Sequence, residues 1–460
     1  MIPIVTPSEM RAIDAAAPEP VEELIERAGA ATAAVALGML RGGYGRRVVV
    51  VAGKGNNGND GRSAARRLVA RGARVVTIAP GDPLSATTGA DLVIDAAFGT
   101  GFRGTWQPPV VGTVPVLAVD IPSGVDGETG EAAADGVLRA TRTVTFAALK
   151  PGLVLLPGRS LCGEVAVAPI GLDCGRARAW QVESADVAGW VPARPVDSHK
   201  WRAATRVVAG SAAMPGASHL CVAAAMRAGC GYVRLSSPGL VSSPGAPTEA
   251  VYHPLEPAGW ADHVIAGAGR FASAVIGPGL GRSEQGDVEI RRAVASVPVP
   301  LVVDGDALSA LGSRAADILR ARPAPAVLTP HDGEFERLAG HRPGADRFAA
   351  ARQLAAACRS VVLLKGPTTV VADPDGTVGV CTAGDARLAT AGTGDVLAGI
   401  VGALLACGVD PWRAALAGAE LHGRAGQAGP ERGLVAGDLV AALPGAWAGL
   451  HDIPHGTVRS

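Results

Sequence analysis

Short β-branched runs that end in glycine, aspartate or serine, each followed by a helical stretch, recur along this chain. RVVVVA at 47–52 leads into GKGNNGNDG and then into SAARRLVARG, whose spacing predicts a helix stopped by Gly72. RVVTIAP at 74–80, DLVIDAAFGTG at 91–101 and VPVLAVDIPSG at 114–124 repeat the form. Strands alternating with helices in this way need a parallel sheet covered on both faces. Such sheets hold ligands at the carboxyl ends of their strands, where these polar turns fall. Residues 8–40 add an Ala-rich helical pattern that packs outside the sheet.

The texture changes across 181–200, which places a junction near 190–198 and predicts domains at 1–190 and 199–460 with 191–198 as linker. The second half restarts with a strand at 206–209, an Ala-rich helix at 217–229, and strands at 232–235, 274–276, 300–303, 326–328 and 361–364. A helix at 393–407 is apolar on nearly all faces, so it is expected to be buried. Lys+Arg 42 balances Asp+Glu 42, which leaves no global field to steer the chain to nucleic acid or an anionic membrane. The 7 cysteines form no CxxC pair and read as reduced, buried thiols rather than a disulfide framework or a zinc site. With no secretory pattern and no apolar run of membrane length, a soluble cytoplasmic protein is expected. Of the 42 basic residues only Lys54, Lys150, Lys200 and Lys365 are lysines, which marks them as places where a compact point charge is required.

Gly53, Gly55 and Gly58 form G-x-G-x-x-G between a strand and a helix, and Gly99, Gly101 and Gly104 repeat it, a pair of turns suited to cradling a pyrophosphate. Asn56, Asn57, Asn59 and Asp60 supply more side-chain oxygens than a tight turn needs. Asp95, Asp120 and Ser123 end the next two strands, and hard oxygens gathered there suit an alkali or alkaline-earth cation. In the second half Asp395 follows Gly392, Thr393 and Gly394 directly before the buried helix, where free N–H donors hold an anion beside a base. LLKGPTT, VVDGDAL and LTPHDGE end three further strands. Each of these residues alone also reads as a cap or turn; together they point to a nucleotide phosphate site. GxxxxGK[ST], HExxH and GxSxG do not occur, and the acidic residue that a dehydrogenase reading of GKGNNG needs is offered only by Asp82, which falls late.

In their number and order these motifs resemble the bifunctional NAD(P)H-hydrate repair enzymes, over nearly the whole chain. GNNGNDG, DAAFGTGFRG, VDIPSGVDG and ALKPG match the epimerase half; HK, MPGA, GPGLG, DGDAL, TPHDGE, KGPTT and AGTGDVLAG match the dehydratase half. Asn59 stands where the family usually has glycine, and HKW and DGDAL replace HKG and DADAL. The resemblance implies an α/β chain with an N-terminal Rossmann-like doubly wound sheet and a C-terminal ribokinase-like domain. It implies that Asn56, Asn57, Gly58, Asn59, Asp60, Gly99, Thr100, Gly101, Phe102, Arg103, Gly104, Thr105 and Asp120 contact the hydrated dinucleotide, and that Asn57, Asp95 and Ser123 bind K⁺. In the other half Ala217, Gly279, His331 and Asp395 would face the hydrated nicotinamide, while Lys365, Gly366, Pro367, Thr368, Thr369 and Gly394 would hold ADP or ATP with Mg²⁺. The implied catalytic groups are Asp395 as base for dehydration, and Asp120 as acid/base for epimerisation with Lys150 near it. Expected partners are NADHX or NADPHX and the adenine nucleotide, in a homo-oligomer without nucleic acid or membrane. Two other readings stay open: a ribokinase-like kinase of a small alcohol, and a first half that binds a dinucleotide without catalysis.

Overall fold

The computed structural model describes residues 1–82, 89–102, 104–134 and 136–450. By packing the chain divides into two compact units, one running from Ile2 to Trp180 and one from Gln181 onward, which also takes in Met1. Residues 181–198, read from texture as a domain end and linker, therefore fall in the second unit. Val182 and Val187 are buried in its core, and the helix Ser184–Trp190 packs on the helix Pro411–Ala428. Ser184 Oγ also donates to the buried Glu420 at 2.9 Å. Polar composition hid a short amphipathic helix there.

In the first unit six parallel strands lie in the spatial order Arg74–Ile78, Arg47–Ala52, Leu92–Ala96, Val116–Val119, Arg142–Phe146, Glu164–Ala168. Val48 to Val51 are all buried, as a strand covered on both faces requires. The order of connection reverses between Arg47–Ala52 and Leu92–Ala96, so the crevice for a ligand opens at the carboxyl ends of these two strands. The helix beyond the first strand spans Asn56–Ala70 and begins inside the glycine-rich segment, well before the predicted start. An added Cβ at Gly58 would lie 1.9 Å from Gly53 O, and one at Gly61 would lie 2.5 Å from the Ala96 methyl. These glycines serve close helix-to-strand approach, so the Asn and Asp residues between them sit on a helix rather than in a turn.

Among the described residues nine strands lie wholly within the second unit, in the order Val251–Tyr252, Tyr232–Ser236, Ala204–Val208, Ser273–Ile276, Leu301–Val303, Ala326–Leu328, Val361–Leu364, Thr369–Ala372, Val378–Cys381. The first seven are parallel, Thr369–Ala372 runs antiparallel to them, and Val378–Cys381 pairs antiparallel with it and so returns to the common direction. Here the reversal lies between Ala204–Val208 and Ser273–Ile276. The helix Thr393–Ala406 is buried along nearly its whole length, as expected, between the sheet and the helices Pro215–Arg227 and Pro411–Ala428. Its approach to Pro215–Arg227 depends on Gly399, where a Cβ would lie 2.1 Å from Cys221 O. All seven thiols are free, and among the described residues no helix is long and apolar enough to cross a membrane.

Candidate active sites

A cleft of about 530 Å³ opens at the reversal point of the first sheet. Lys54 to Asn57 and Asp60 line it from one strand end and helix, and Ala97 to Phe102 from the other strand end. Asp120, Lys150 and, from the helix Pro7–Ala16, Arg11 and Asp14 complete its polar wall. Asp120 adopts φ +67°, a left-handed conformation that aspartate tolerates better than most residues, with its N–H on Val144 O at 2.7 Å. Its Oδ1 accepts from Lys150 Nζ at 2.5 Å and from Thr145 Oγ1 at 2.9 Å. Lys150, 1% exposed, places its remaining protons on Thr145 Oγ1 at 2.8 Å and Phe146 O at 3.1 Å. Burial above all, then the neighbouring Asp120 and Asp14, lifts the Asp60 carboxyl to about 8 despite Lys150. Asp14 is raised as well, chiefly by burial.

Asp95 and Ser123 come together but do not line this cleft. Asp95 is fully buried, with Ser123 N on Oδ2 at 2.8 Å and Ser123 Oγ on Oδ1 at 2.6 Å. Burial raises Asp95 to about 6, although these bonds pull it down. Both polar atoms of the Asn57 amide are shut from solvent and have no partner. Asn59 turns along its helix, where Oδ1 accepts from Arg62 at 2.8 Å. Gly58, Gly104 and Thr105 do not line the cleft, and Arg103 lies outside the described residues.

In the second unit the helix Thr393–Ala406 starts at Gly392, in the left-handed conformation at φ +87°, with no side-chain cap. The N–H groups of Gly394 and Asp395 find no acceptor within the described chain, which leaves an anion-binding turn. Thr393 Oγ1 ties the turn to Leu388 O at 2.8 Å, and the buried His422 Nε2 lies 2.9 Å from Thr393 O. A carbonyl only accepts, so Nε2 carries the proton. Burial lifts Asp395 to about 7, with Asp304 adding to the effect and Lys365 opposing it.

Lys365, just past the strand Val361–Leu364, reaches Asp304 Oδ1 at 3.0 Å and Glu334 Oε2 at 3.5 Å. Burial alone would lower its pKa, but these two carboxylates raise it on balance. A Cβ at Gly394 would lie 3.5 Å from Lys365 Nζ, so the lysine stands against the turn. His331 caps the helix Asp332–Ala339, accepting from Gly333 N at 3.0 Å and Glu334 N at 3.2 Å through Nδ1, with Nε2 3.6 Å from Glu334 Oε1. Gly279 (φ +62°) packs so closely that a Cβ there would lie 2.7 Å from Ala217 Cβ, which brings two of the expected substrate contacts together. Gly366, Pro367 and Thr368 form the turn into the strand Thr369–Ala372; Thr368 is buried in it and Thr369 pairs with Cys381 in the ladder. Sequence reasoning missed Asp304, Glu334, Asp14 and His422. The first two were visible only as strand-end carboxylates, and nothing local marked the other two.

The NAD(P)H-hydrate dehydratase family model matches residues 205–443, and that of the YjeF-related protein N-terminus matches residues 21–88 and 78–152. The bifunctional NAD(P)H-hydrate repair enzyme Nnr of Mycobacterium tuberculosis is 40% identical over 403 residues, 81% of this chain and 81% of its own. The enzyme of that name from Escherichia coli is 34% identical and covers 92% of this chain and 88% of its own. The ADP/ATP-dependent NAD(P)H-hydrate dehydratase from Bacillus subtilis, co-crystallized with ATP/Mg²⁺, superposes with TM-score 0.51 at 30% identity, over 58% of this chain and 97% of that one. A ribokinase-like superfamily protein from Enterococcus faecalis, 24% identical with TM-score 0.52 over 59% of this chain and 96% of that one, shares the fold of the second unit. With both halves matched and relatives at this identity spanning most of its length, the chain belongs to the family of bifunctional NAD(P)H-hydrate repair enzymes.

Proposed function

We propose that the second unit dehydrates the nicotinamide hydrate NADHX or NADPHX at the expense of ADP or ATP, and that the first unit interconverts the C6 epimers of the same substrate. The observation that carries this reading is the start of the helix Thr393–Ala406, where Asp395, lifted by burial to about 7, adjoins N–H donors that have no partner among the described residues. A base and an anion cradle thus stand one residue apart.

The C6 hydroxyl of the hydrated ring is a poor leaving group. Asp395 takes its proton as the oxygen attacks the terminal phosphorus of the nucleotide, whose bridging P–O bond breaks. The Gly394 and Asp395 amides and Lys365 receive the charge on the transferred group. The ring-nitrogen lone pair then expels phosphate, loss of the adjacent proton completes the elimination, and conjugation returns. Ala217 and Gly279 offer a surface free of bulk against which the ring can lie. Among the described residues no three His, Cys, Asp or Glu converge as a metal site. Mg²⁺ would therefore enter held mainly by the nucleotide phosphates and water.

For K⁺ in the first unit the fit is better defined: the unpartnered Asn57 amide oxygen, with the Asp95 carboxylate and Ser123 hydroxyl, supplies hard oxygen donors beside the cleft. Bound there, K⁺ would contribute a fixed positive charge that favours the substrate's phosphates. The test is to incubate purified protein with an R/S mixture of NADHX, Mg²⁺, K⁺ and ADP or ATP while following NADH absorbance and free phosphate. NADH recovery beyond the S fraction, above spontaneous epimerisation, is expected. Recovery that halts at the S fraction refutes the epimerase half, and a stable phosphorylated product without NADH refutes the dehydratase half in favour of a kinase.

A further inference from the structure

We propose that Asp60 is the proton donor that lets the C6 hydroxyl leave in the first unit's reaction, while Asp120, ion-paired to Lys150, acts as the base for the returning water. This rests on the epimerase reading above. Three carboxyl groups face one cleft, Asp14, Asp60 and Asp120, each from a different element. Lys150 is committed to Asp120 Oδ1, Thr145 and Phe146 O at 2.5, 2.8 and 3.1 Å, so it has no proton left for either of the others. Asp60, 8% exposed, receives no hydrogen bond and pairs with no cation among the described residues; Arg11 and Lys54 line the cleft without reaching it. A buried carboxyl group without a donor or counter-charge keeps its proton. That is the sense of its displacement to about 8, which burial dominates and Asp120 and Asp14 reinforce against Lys150.

The chemistry requires such a group. The Asp60 proton passes to the C6 oxygen, the C–O bond breaks with its electron pair leaving on water, and the ring-nitrogen lone pair forms the C=N bond of a flat cation. Asp120 and Asp14 set negative charge around that cation. A second water adds to the opposite face, the π pair returns to nitrogen, and the surplus proton goes to Asp120, whose Oδ2 makes no bond among the described residues. Exchange with solvent resets both groups, and nothing is oxidised or reduced.

The experiment follows R-NADHX in ¹⁸O-labelled water with the full chain, using dehydration of S-NADHX as the internal measure of active enzyme. The wild-type enzyme should incorporate one ¹⁸O per inversion. Asp60→Asn should lose about a hundredfold or more in inversion and in label uptake, with R-NADHX affinity unchanged, and formate should restore part of the rate to Asp60→Ala. Inversion in Asp60→Asn within a few-fold of wild type, inversion without label, or loss of affinity together with rate overturns the assignment while the epimerase reading stands. A wild-type chain that fails to accelerate inversion overturns both.

Discussion

Gly58→Ala tests whether the glycines of the first motif are there for close packing, and its effect can be worked out from distances. The new methyl would lie 1.9 Å from Gly53 O, 2.6 Å from Gly53 C and 2.8 Å from Gly53 N, all backbone atoms that cannot swing aside. Ordinary contact needs roughly 1.5 Å more than the shortest of these. The start of the helix Asn56–Ala70 must therefore move outward by about that much, taking Asn57 and Asp60 away from the strand end that carries Ala97. A shift of ~1 Å in positioning groups can cost ~10²-fold in rate, and forced overpacking costs about 1–3 kcal/mol in stability. Gly38→Ala, on the helix Val21–Leu40 and away from the cleft, is the control, because its Cβ would meet nothing within 4 Å. Epimerisation of purified R-NADHX and thermal unfolding would be measured for both variants. Expected is about a hundredfold loss or more for Gly58→Ala, near wild-type rate for Gly38→Ala, and unchanged dehydration in both. Equal retention of epimerisation in the two variants would refute the close-approach argument.

Asp395→Asn should remove dehydration by about 10²–10⁴-fold and leave epimerisation intact; loss of both activities in this one variant would contradict two independent sites. Because Asp395 must be ionised to act and burial sets it at about 7, dehydratase kcat/KM should fall about tenfold per pH unit below that value, and a profile flat from pH 5 to 8 would exclude it as the base. Lys150→Met strips the buried partner from Asp120 and should destabilise the first unit by about 3–5 kcal/mol, read as its unfolding midpoint in urea. His422 is lowered to about 4 by burial from an ordinary 6.5, so proton uptake favours the unfolded chain. Its contribution is complete above 6.5 and lost as pH falls toward 4. Hydrogen exchange in the helix Pro411–Ala428 should report about 2 kcal/mol less protection at pH 5 than at pH 7, and His422→Gln should abolish that difference.

What the sequence made legible was what backbone chemistry fixes locally. The strand ends and the buried helix after GTGD follow from short apolar runs and the residues that stop them, whereas the two reversal points depend on strand order, which only the fold fixes. The scarcity of lysine was informative for Lys150 and Lys365, each ion-paired within a site, but not for Lys200, which lies exposed 5.8 Å from the ring of Tyr232. Where sequence reading went astray, the deciding term was tertiary. GKGNNGNDG looks like a turn because glycine and asparagine are turn residues in isolation, yet Gly58 and Gly61 lie in the helix, packed against Gly53 and Ala96. Residues 181–190 look like the end of the first domain until Val182 and Val187 are seen in the core of the second unit.

Protonation lies furthest from the sequence, and it is protonation that assigns roles. Asp60, Asp95 and Asp395 are one residue type, the first and last near the starts of helices and Asp95 near the carboxyl end of a strand, and all three would be fully ionised at neutral pH in water. Folding buries each of them and then separates them by what else is brought near. Asp95 receives three hydrogen bonds and rises only to about 6; Asp60 receives none, faces two further carboxyl groups and rises to about 8; Asp395 has Lys365 against Asp304 and stops at about 7. The proposed acid and the proposed base therefore come from the same side chain, in two units of one chain. The partners that decide between them, Asp14 and Asp304, are far away in sequence. A motif can thus name the residues of such a site, but only the packed neighbours determine which of them gives a proton and which takes one.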